Sequence, residues 1–110
     1  MSTYNLTLED MPSRDKKLSN IAKVENFKSS KSGQPIANQF IITLQNGIEV
    51  FQSYNSIIAV KANNETYLDQ NRWNYSRTTS RYRNQFLNET TVETVKKIGF
   101  GNYTMVDLNK

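Results

Sequence analysis

Residues 38–68 form a series of short apolar segments of alternating polarity, which are separated by turns rich in asparagine and glycine. Alternation with a period of two predicts β-strands that are buried on one face. The dipeptide Asn46-Gly47 lies between two such segments, residues 38–45 and 48–53. It predicts a hairpin, because a two-residue turn needs positive φ at both positions and these two residues tolerate it.

The alternation also assigns side chains to faces of the predicted sheet. In residues 21–28, Ala22 and Val24 are expected to face the core and Lys23 and Glu25 the solvent. The residues expected to share one apolar face of the hairpin are Phe40, Ile42, Leu44, Ile48, Val50 and Phe51. The further strands expected are residues 56–62 and 65–68.

After residue 69 the pattern changes from strands to helices. Tyr82 and Phe86 are four residues apart and therefore share one face of a helix. Thr78 or Thr79 is expected to cap this helix, with residues 80–83 as its first turn.

A second short helix is predicted to start at Thr90, because Thr90 and Glu93 have the spacing of a capping box. Its expected apolar stripe is Val92, Val95 and Ile98, and Gly99 and Gly101 are expected to end it. Residues 103–108 alternate in polarity and predict a final strand.

These elements predict an α+β fold: a small antiparallel β-sheet built as a meander, then two short helices and a closing C-terminal strand. A chain of 110 residues is long enough for one modest core. Residues 1–17 show neither helical nor strand periodicity and are expected to form a flexible N-terminal arm. Residues 18–110 are expected to form a single domain.

The composition argues against most kinds of catalytic site. The chain contains no cysteine and no histidine, which excludes thiolate sites and the commonest general base and metal ligand. The remaining candidates are a tyrosine nucleophile, Tyr75 or Tyr82, and the carboxylate pair Asp69 and Glu65. With no glycine-rich phosphate loop and no dense acidic cluster, we expect a protein that is not an enzyme and that needs no metal or cofactor.

The sequence also contains no signal peptide and no apolar run long enough for a membrane span, so a cytoplasmic protein without membrane contact is expected.

The net charge of +4 is concentrated in residues 70–88, where four arginines occur without an acidic residue. A localised positive field favours nucleic acid or an acidic protein surface as the partner. Guanidinium groups suit phosphate, because they are planar, always charged and able to donate two parallel hydrogen bonds. The candidate binding residues are Arg72, Arg77, Arg81 and Arg83, with assistance from Tyr75, Lys28 and Lys31.

Each of these residue types also has a structural interpretation. Arginines can stack on aromatic rings such as Trp73 or remain solvated, and an isolated tryptophan after a sheet more often plugs the core than binds a base. We expect Trp73 and Phe86 to belong to the core and Tyr75 to be the most exposed of the aromatic residues in this segment.

Several motifs resemble a family of small uncharacterised proteins encoded by phages and mobile elements of Gram-positive bacteria. The motifs are A-N-Q-F (37–40), F-Q-S-Y-N-S-I-I-A (51–59), Y-L-D (67–69), W-N-Y-S-R-T-T-S-R-Y-R-N-Q-F-L (73–87) and E-T-T-x-E-T-x-K-K-I (89–98), followed by the final strand. The resemblance covers roughly residues 37–110, with asparagine at position 74 where the family usually has aspartate. It implies a phage accessory protein in the cytoplasm of an infected bacterial cell, and supplies neither an activity nor functional residues.

Two functional hypotheses follow. The first is a non-enzymatic accessory protein that binds DNA, RNA or a nucleoprotein machine through the arginine-rich segment. The alternative is an anti-defence protein, similar to an anti-CRISPR inhibitor, that binds a host effector protein directly. Both hypotheses leave the oligomeric state open.

Overall fold

The computed structural model describes residues 21–110, which form a six-stranded sheet and two helices. The elements are β1 (Ile21–Lys28), β2 (Pro35–Leu44), β3 (Glu49–Ser53), β4 (Ser56–Ala62), β5 (Glu65–Asp69), α1 (Arg77–Leu87), α2 (Thr91–Gly99) and β6 (Tyr103–Val106). The strands lie in sequence order, and β1 to β5 form the predicted antiparallel meander. The predicted α+β fold class is confirmed. The predicted N-terminal arm, residues 1–17, lies outside the described residues.

The closing strand β6 pairs parallel to β5, with Asp69 opposite Val106. A parallel neighbour requires a connection that returns to the other end of the sheet, and here both helices form that connection. Phe51 and Phe86 have ring centroids 5.9 Å apart, so α1 lies on the face of the sheet that carries Phe51. We call this the helix face.

The core lies on both faces of the sheet. On the helix face, the buried residues include Phe27, Phe51, Leu68, Tyr82 and Phe86. On the opposite face, the cluster includes the predicted Ile42, Leu44, Ile48 and Val50, with Phe40 packed against it. The assignment of Phe51 to that cluster was wrong, because Val50 and Phe51 are consecutive strand residues and therefore point to opposite faces.

The hairpin at Asn46-Gly47 is confirmed, but its turn differs from the expected type. Gly47 has φ +90°, whereas Asn46 has negative φ. The Leu44 N–H donates to Ile48 O at 2.8 Å, which makes a three-residue loop rather than a two-residue turn. Asn46 contributes through its side chain, which accepts from the Ile48 N–H at 3.2 Å.

Strand β1 departs from the expected half-buried pattern. Ala22 and Val24 are exposed, as are Lys23 and Glu25, which form an ion pair at 3.3 Å. The reason is the position of β1 at the edge of the sheet, where it has two register shifts. Most of its side chains therefore do not pack against either core cluster.

Helix α1 starts earlier than predicted. Its N-cap is Ser76, whose hydroxyl accepts from the Thr79 N–H at 3.0 Å, and Thr79 itself is buried. The predicted sharing of a buried face by Tyr82 and Phe86 is confirmed.

In α2 the predicted capping box is present. The Thr90 hydroxyl accepts from the Glu93 N–H at 3.1 Å, and the Glu93 carboxylate accepts from the Thr90 N–H at 2.8 Å. Neither helix of residues 21–110 has the length and apolar character needed to cross a membrane.

Candidate nucleic-acid interface

The meander brings several connecting segments to one end of the sheet. β1, β3, β5 and β6 all end there, and α1 begins there, because the Ser53 and Thr79 hydroxyls are hydrogen-bonded at 3.1 Å. We call this the basic end, which comprises residues 28–35, 53–56, 69–81 and 107–110.

The charges of the described residues are divided unequally between the basic end and the rest. The basic end holds six basic residues, Lys28, Lys31, Arg72, Arg77, Arg81 and Lys110, against two acidic residues, Asp69 and Asp107. Elsewhere in residues 21–110 there are five basic residues, Lys23, Lys61, Arg83, Lys96 and Lys97, against five acidic residues, Glu25, Glu49, Glu65, Glu89 and Glu93. Within residues 21–110, the whole excess of +4 therefore lies at the basic end.

None of the six basic side chains is paired with a carboxylate in the part of the chain that the structure describes. The three ion pairs there, Lys23–Glu25, Lys61–Glu49 and Lys97–Glu89, all lie elsewhere. Charges without a partner are available to an external anion, whereas a paired charge must first lose its partner.

Asp69 organises this end and uses its carboxylate internally. It is fully buried and accepts three backbone N–H bonds, from Asn71 at 3.1 Å, Arg72 at 2.8 Å and Leu108 at 2.8 Å. These bonds fix the loop that carries Arg72 and anchor the C-terminal tail beside it. Because its oxygens are occupied and inaccessible, Asp69 is a poor candidate for catalysis with Glu65.

Arg77 and Arg81 lie four residues apart on the exposed side of α1, starting at its first residue. The first turn of this helix contains no acidic residue. The partial positive charge of a helix N-terminus therefore adds to the two guanidinium charges.

The remaining predicted site residues at the basic end are exposed or partly exposed. Tyr75 is exposed, and Arg72 is half-buried. Lys28 and Lys31 are exposed at the β1–β2 connection, where the Gly33 N–H donates to Ser29 O at 2.9 Å. α1 reaches this side of the sheet as well, because the rings of Phe27 and Tyr82 are 5.4 Å apart.

Arg83 is the exception, and its prediction as an exposed binding residue is corrected. It is fully buried, with its guanidinium 5.1 Å from the Trp73 ring centre. Four of its N–H groups donate to neutral acceptors: Trp73 O at 2.7 Å, Asn74 Oδ1 at 3.0 Å, Asn84 Oδ1 at 2.8 Å and Thr91 Oγ1 at 2.9 Å. Arg83 thus joins the loop before α1 to the start of α2, and its donors are unavailable to a partner.

The guanidinium charge of Arg83 is partly desolvated. Burial lowers the pKa of Arg83, and the charge of Glu89 offsets part of this effect. Trp73 is partly buried and packs against the helix-face cluster, as expected for a core tryptophan. Arg83 and Trp73 together stabilise the loop on which Arg72 and Tyr75 are displayed.

The predicted apolar stripe of α2 does not face the core. Val92 and Val95 are exposed, and only Ile98 packs against the helix-face cluster. The buried residue of this helix is Thr94, whose hydroxyl donates to Glu89 Oε2 at 2.6 Å. This bond turns the polar side of α2 inward and leaves its two valines exposed.

Glu89 is the centre of a hydrogen-bonded network away from the basic end. Its carboxylate also accepts from Lys97 Nζ and from the Tyr103 hydroxyl, each at 2.8 Å. Burial alone would raise the pKa of Glu89, but the bonds from Lys97, Thr94 and Tyr103 outweigh it and the pKa is lowered. Burial, and then the hydrogen bond to Glu89 and its charge, raise the pKa of Tyr103 to about 12.

This network predicts a loss of stability in alkali. The Tyr103 phenol ionises near pH 10 when unfolded but only near 12 when folded, so its contribution is complete below pH 10 and is lost as pH rises towards 12. Urea denaturation at pH 8, 10 and 11.5 is expected to show a steeper decline in unfolding free energy for the wild type than for Tyr103→Phe. Equal declines in unfolding free energy for the two proteins would contradict a stabilising contribution from the Tyr103 hydroxyl.

Tyr82, one of the two candidate nucleophiles, is buried. Within residues 21–110, no three His, Cys, Asp or Glu side chains are grouped so that they could hold a metal ion.

One residue that the sequence did not single out belongs to the candidate surface. Tyr54 lies in the β3–β4 turn at the basic end and is exposed. From the sequence pattern, positions 54 and 55 were predicted only to form a short break between two strands. The sequence feature that could have indicated Tyr54 is its position, because it is an aromatic residue in a turn between two predicted strands.

No curated protein and no solved structure matches the chain significantly. Residues 22–102, most of the chain, match a family described as a family of unknown function, DUF8033. The chain belongs to this family.

Proposed function

We propose that this protein binds nucleic acid, free or within a nucleoprotein machine, through the basic end, and that it does so as a non-enzymatic phage accessory protein. The observation that carries the proposal is the location of the whole +4 excess of the described residues at one end, without ion-pair partners. An excess of this kind creates a directed field, whereas the same charges scattered over the surface would only increase solubility.

The dimensions of the basic end suit an extended polyanion. Six strands spaced about 4.8 Å apart make a sheet about 24 Å wide, and the basic residues extend from the β1–β2 connection to the C-terminal tail beside β5. A nucleic acid lying along this edge would meet phosphate-binding side chains over several nucleotides. Arginine and lysine would supply the charge, and the loops would supply backbone N–H groups.

The test is binding of a fluorescently labelled oligonucleotide, measured by anisotropy over a range of salt concentrations. Neutralisation of four to six phosphates gives a log–log slope of about −3 to −5, depending on whether the ligand is single- or double-stranded. We therefore expect affinity to decline steeply between 50 and 200 mM salt. Absence of binding at 50 mM salt, or a flat dependence, would contradict the proposal.

A second candidate function is inhibition of a host defence protein by direct contact, as an anti-CRISPR-like factor. It is favoured by three exposed apolar residues in α2 and at its C-cap: Val92 is 63%, Val95 52% and Phe100 79% exposed. Apolar residues clustered on a surface often mark a protein interface.

A pull-down from host lysate, with and without nuclease, separates the two functions. A nucleic-acid binder is expected to lose its captured proteins after nuclease treatment. An inhibitor is expected to retain one host protein after nuclease treatment and to lose it when Val95 is replaced by glutamate. Retention of a host protein by a protein that ignores free oligonucleotides would favour the second candidate.

A further inference from the structure

The β3–β4 turn places a tyrosine where the backbone disfavours one. Tyr54 has φ +56°, in the left-handed region that residues with a Cβ rarely adopt. The other three connections of the meander have Gly33, at φ +74°, Gly47, at φ +90°, and Asn63, at φ +57°, in left-handed positions. Glycine and asparagine adopt this backbone conformation readily, whereas tyrosine adopts it only at a cost in conformational energy.

Both backbone polar groups of Tyr54 are hydrogen-bonded, one to the main chain and one to a side chain. Its N–H donates to Asn38 O at 2.7 Å, and its carbonyl accepts from Gln52 Nε2 at 2.7 Å. The ring is 57% exposed and belongs to neither core cluster. Packing of the ring therefore does not compensate for the unfavourable backbone, and strain retained in this way is typical of functional positions.

Tyr54 is connected to a second exposed tyrosine by a short series of hydrogen bonds. Ser53, its neighbour, bonds the Thr79 hydroxyl at 3.1 Å, and the Thr79 N–H donates to Ser76 Oγ at 3.0 Å. Tyr75 immediately precedes Ser76 and is 51% exposed. The backbone positions of the two tyrosines are thus connected through one hydrogen-bonded junction between the β3–β4 turn and the start of α1.

Both tyrosines belong to the basic end, and the turn that carries Tyr54 is joined to the arginine-bearing helix α1 by the Ser53–Thr79 hydrogen bond. Arg77 and Arg81 follow Tyr75 on α1, and Arg72 precedes it in the loop. Exposed aromatic rings interspersed with cations are the usual means of binding single strands, since every unpaired base offers a face for stacking. A duplex keeps its base faces stacked internally, so the rings would contribute little to binding it.

We infer that Tyr54 and Tyr75 stack on unpaired bases and that the ligand of the basic end is single-stranded nucleic acid. This inference rests on the proposed function and specifies its ligand. The phosphates contact the arginines, the bases stack on the two rings, and the hydrogen-bonded junction connects the two segments that carry the rings.

The test uses Tyr54→Asn in the full chain, because asparagine tolerates the left-handed backbone but has no ring. We expect its affinity for a labelled 12-nucleotide single strand to decrease roughly tenfold. We expect its Tm to stay the same or rise, because the strain is relieved. Affinity for a duplex of the same sequence is expected to stay within about twofold of the wild type.

Two further variants serve as controls. Tyr54→Phe keeps both the ring and the strain, so its affinity and its Tm are expected to match the wild type. Tyr75→Ser lies outside the strained turn and is expected to lose single-strand affinity by a similar factor to Tyr54→Asn. Parallel titrations with DNA and RNA strands identify which of the two binds.

Several results would overturn the inference. Unchanged single-strand affinity in Tyr54→Asn, or equal losses for single strand and duplex, would exclude stacking by Tyr54. A lower Tm in Tyr54→Asn would show that the ring supports the fold rather than a ligand. If these variants bind normally while substitution of Arg77 and Arg81 abolishes binding, the proposed function stands and only the stacking inference fails; if the wild type binds no oligonucleotide, both fail.

Discussion

Replacement of Arg83 by alanine is expected to lower the free energy of unfolding by about 3–5 kcal/mol. The substitution removes four hydrogen bonds from a charged donor and the contact with the Trp73 ring. It also leaves a cavity between the loop before α1 and the start of α2. A small domain has about 5–15 kcal/mol of stability in total, so the loss is a large part of it.

Urea denaturation of Arg83→Ala and Arg81→Ala provides the measurement and its matched control. The two arginines are two residues apart on α1, but Arg81 is exposed and Arg83 is fully buried. Arg81→Ala is expected to change the unfolding free energy by no more than about 0.5 kcal/mol, because exposed substitutions rarely do more. Equal unfolding midpoints for the two variants would contradict the structural role of Arg83.

The second large effect concerns binding. The double substitution Arg77→Gln and Arg81→Gln is expected to weaken binding of a single-stranded oligonucleotide by about 10- to 100-fold, as expected for the loss of two charge-assisted contacts. Both side chains are exposed and unpaired within the described residues, so their removal disturbs no internal interaction. The unfolding free energy is expected to be nearly unchanged.

The matched control is the double substitution Lys23→Gln and Lys96→Gln. It lowers the net charge by the same amount but lies outside the basic end, on β1 and α2. If position matters more than total charge, this variant keeps affinity within a few-fold of the wild type. Equal losses of affinity in the two double variants would mean that binding depends on the net charge of the protein and not on the basic end.

The strands of the meander were predictable because each depends on local signals, whereas the parallel pairing of the closing strand with β5 was not predicted. Alternation fixes the faces of a strand, and the Asn-Gly dipeptide fixes the place of the first hairpin. The face of Phe51 was nevertheless assigned wrongly. Val50 and Phe51 are consecutive apolar residues, and in a sheet with a core on both faces one of them packs on each face.

The exposure of Arg81 and the burial of Arg83 could partly have been predicted from the sequence. Once Tyr82 and Phe86 are assigned to a buried stripe, helical spacing adds Thr79 and Arg83 to the same stripe. All four residues are buried in the structure. The charge of Arg83 obscured this, since arginine is seldom fully buried.

The orientation of α2 could not be predicted from its own residues. Its apolar spacing indicated that Val92 and Val95 face inward, but the Thr94–Glu89 bond turns them outward. That bond depends on Tyr103 and Lys97 also meeting Glu89, which is a matter of tertiary arrangement. Likewise, the convergence of Lys28, Tyr54 and the arginines at one end needed the position of α1 on the sheet as well as the strand order.

The most direct test of a directional basic end is the salt dependence of oligonucleotide binding in the two double variants. Each phosphate neutralised on a single strand contributes about 0.7 to the log–log slope. The slope for the Arg77→Gln, Arg81→Gln protein is therefore predicted to be shallower than that of the wild type by about 1.4, and that of the Lys23→Gln, Lys96→Gln protein to equal the wild type. Identical slopes for all three proteins would contradict the account.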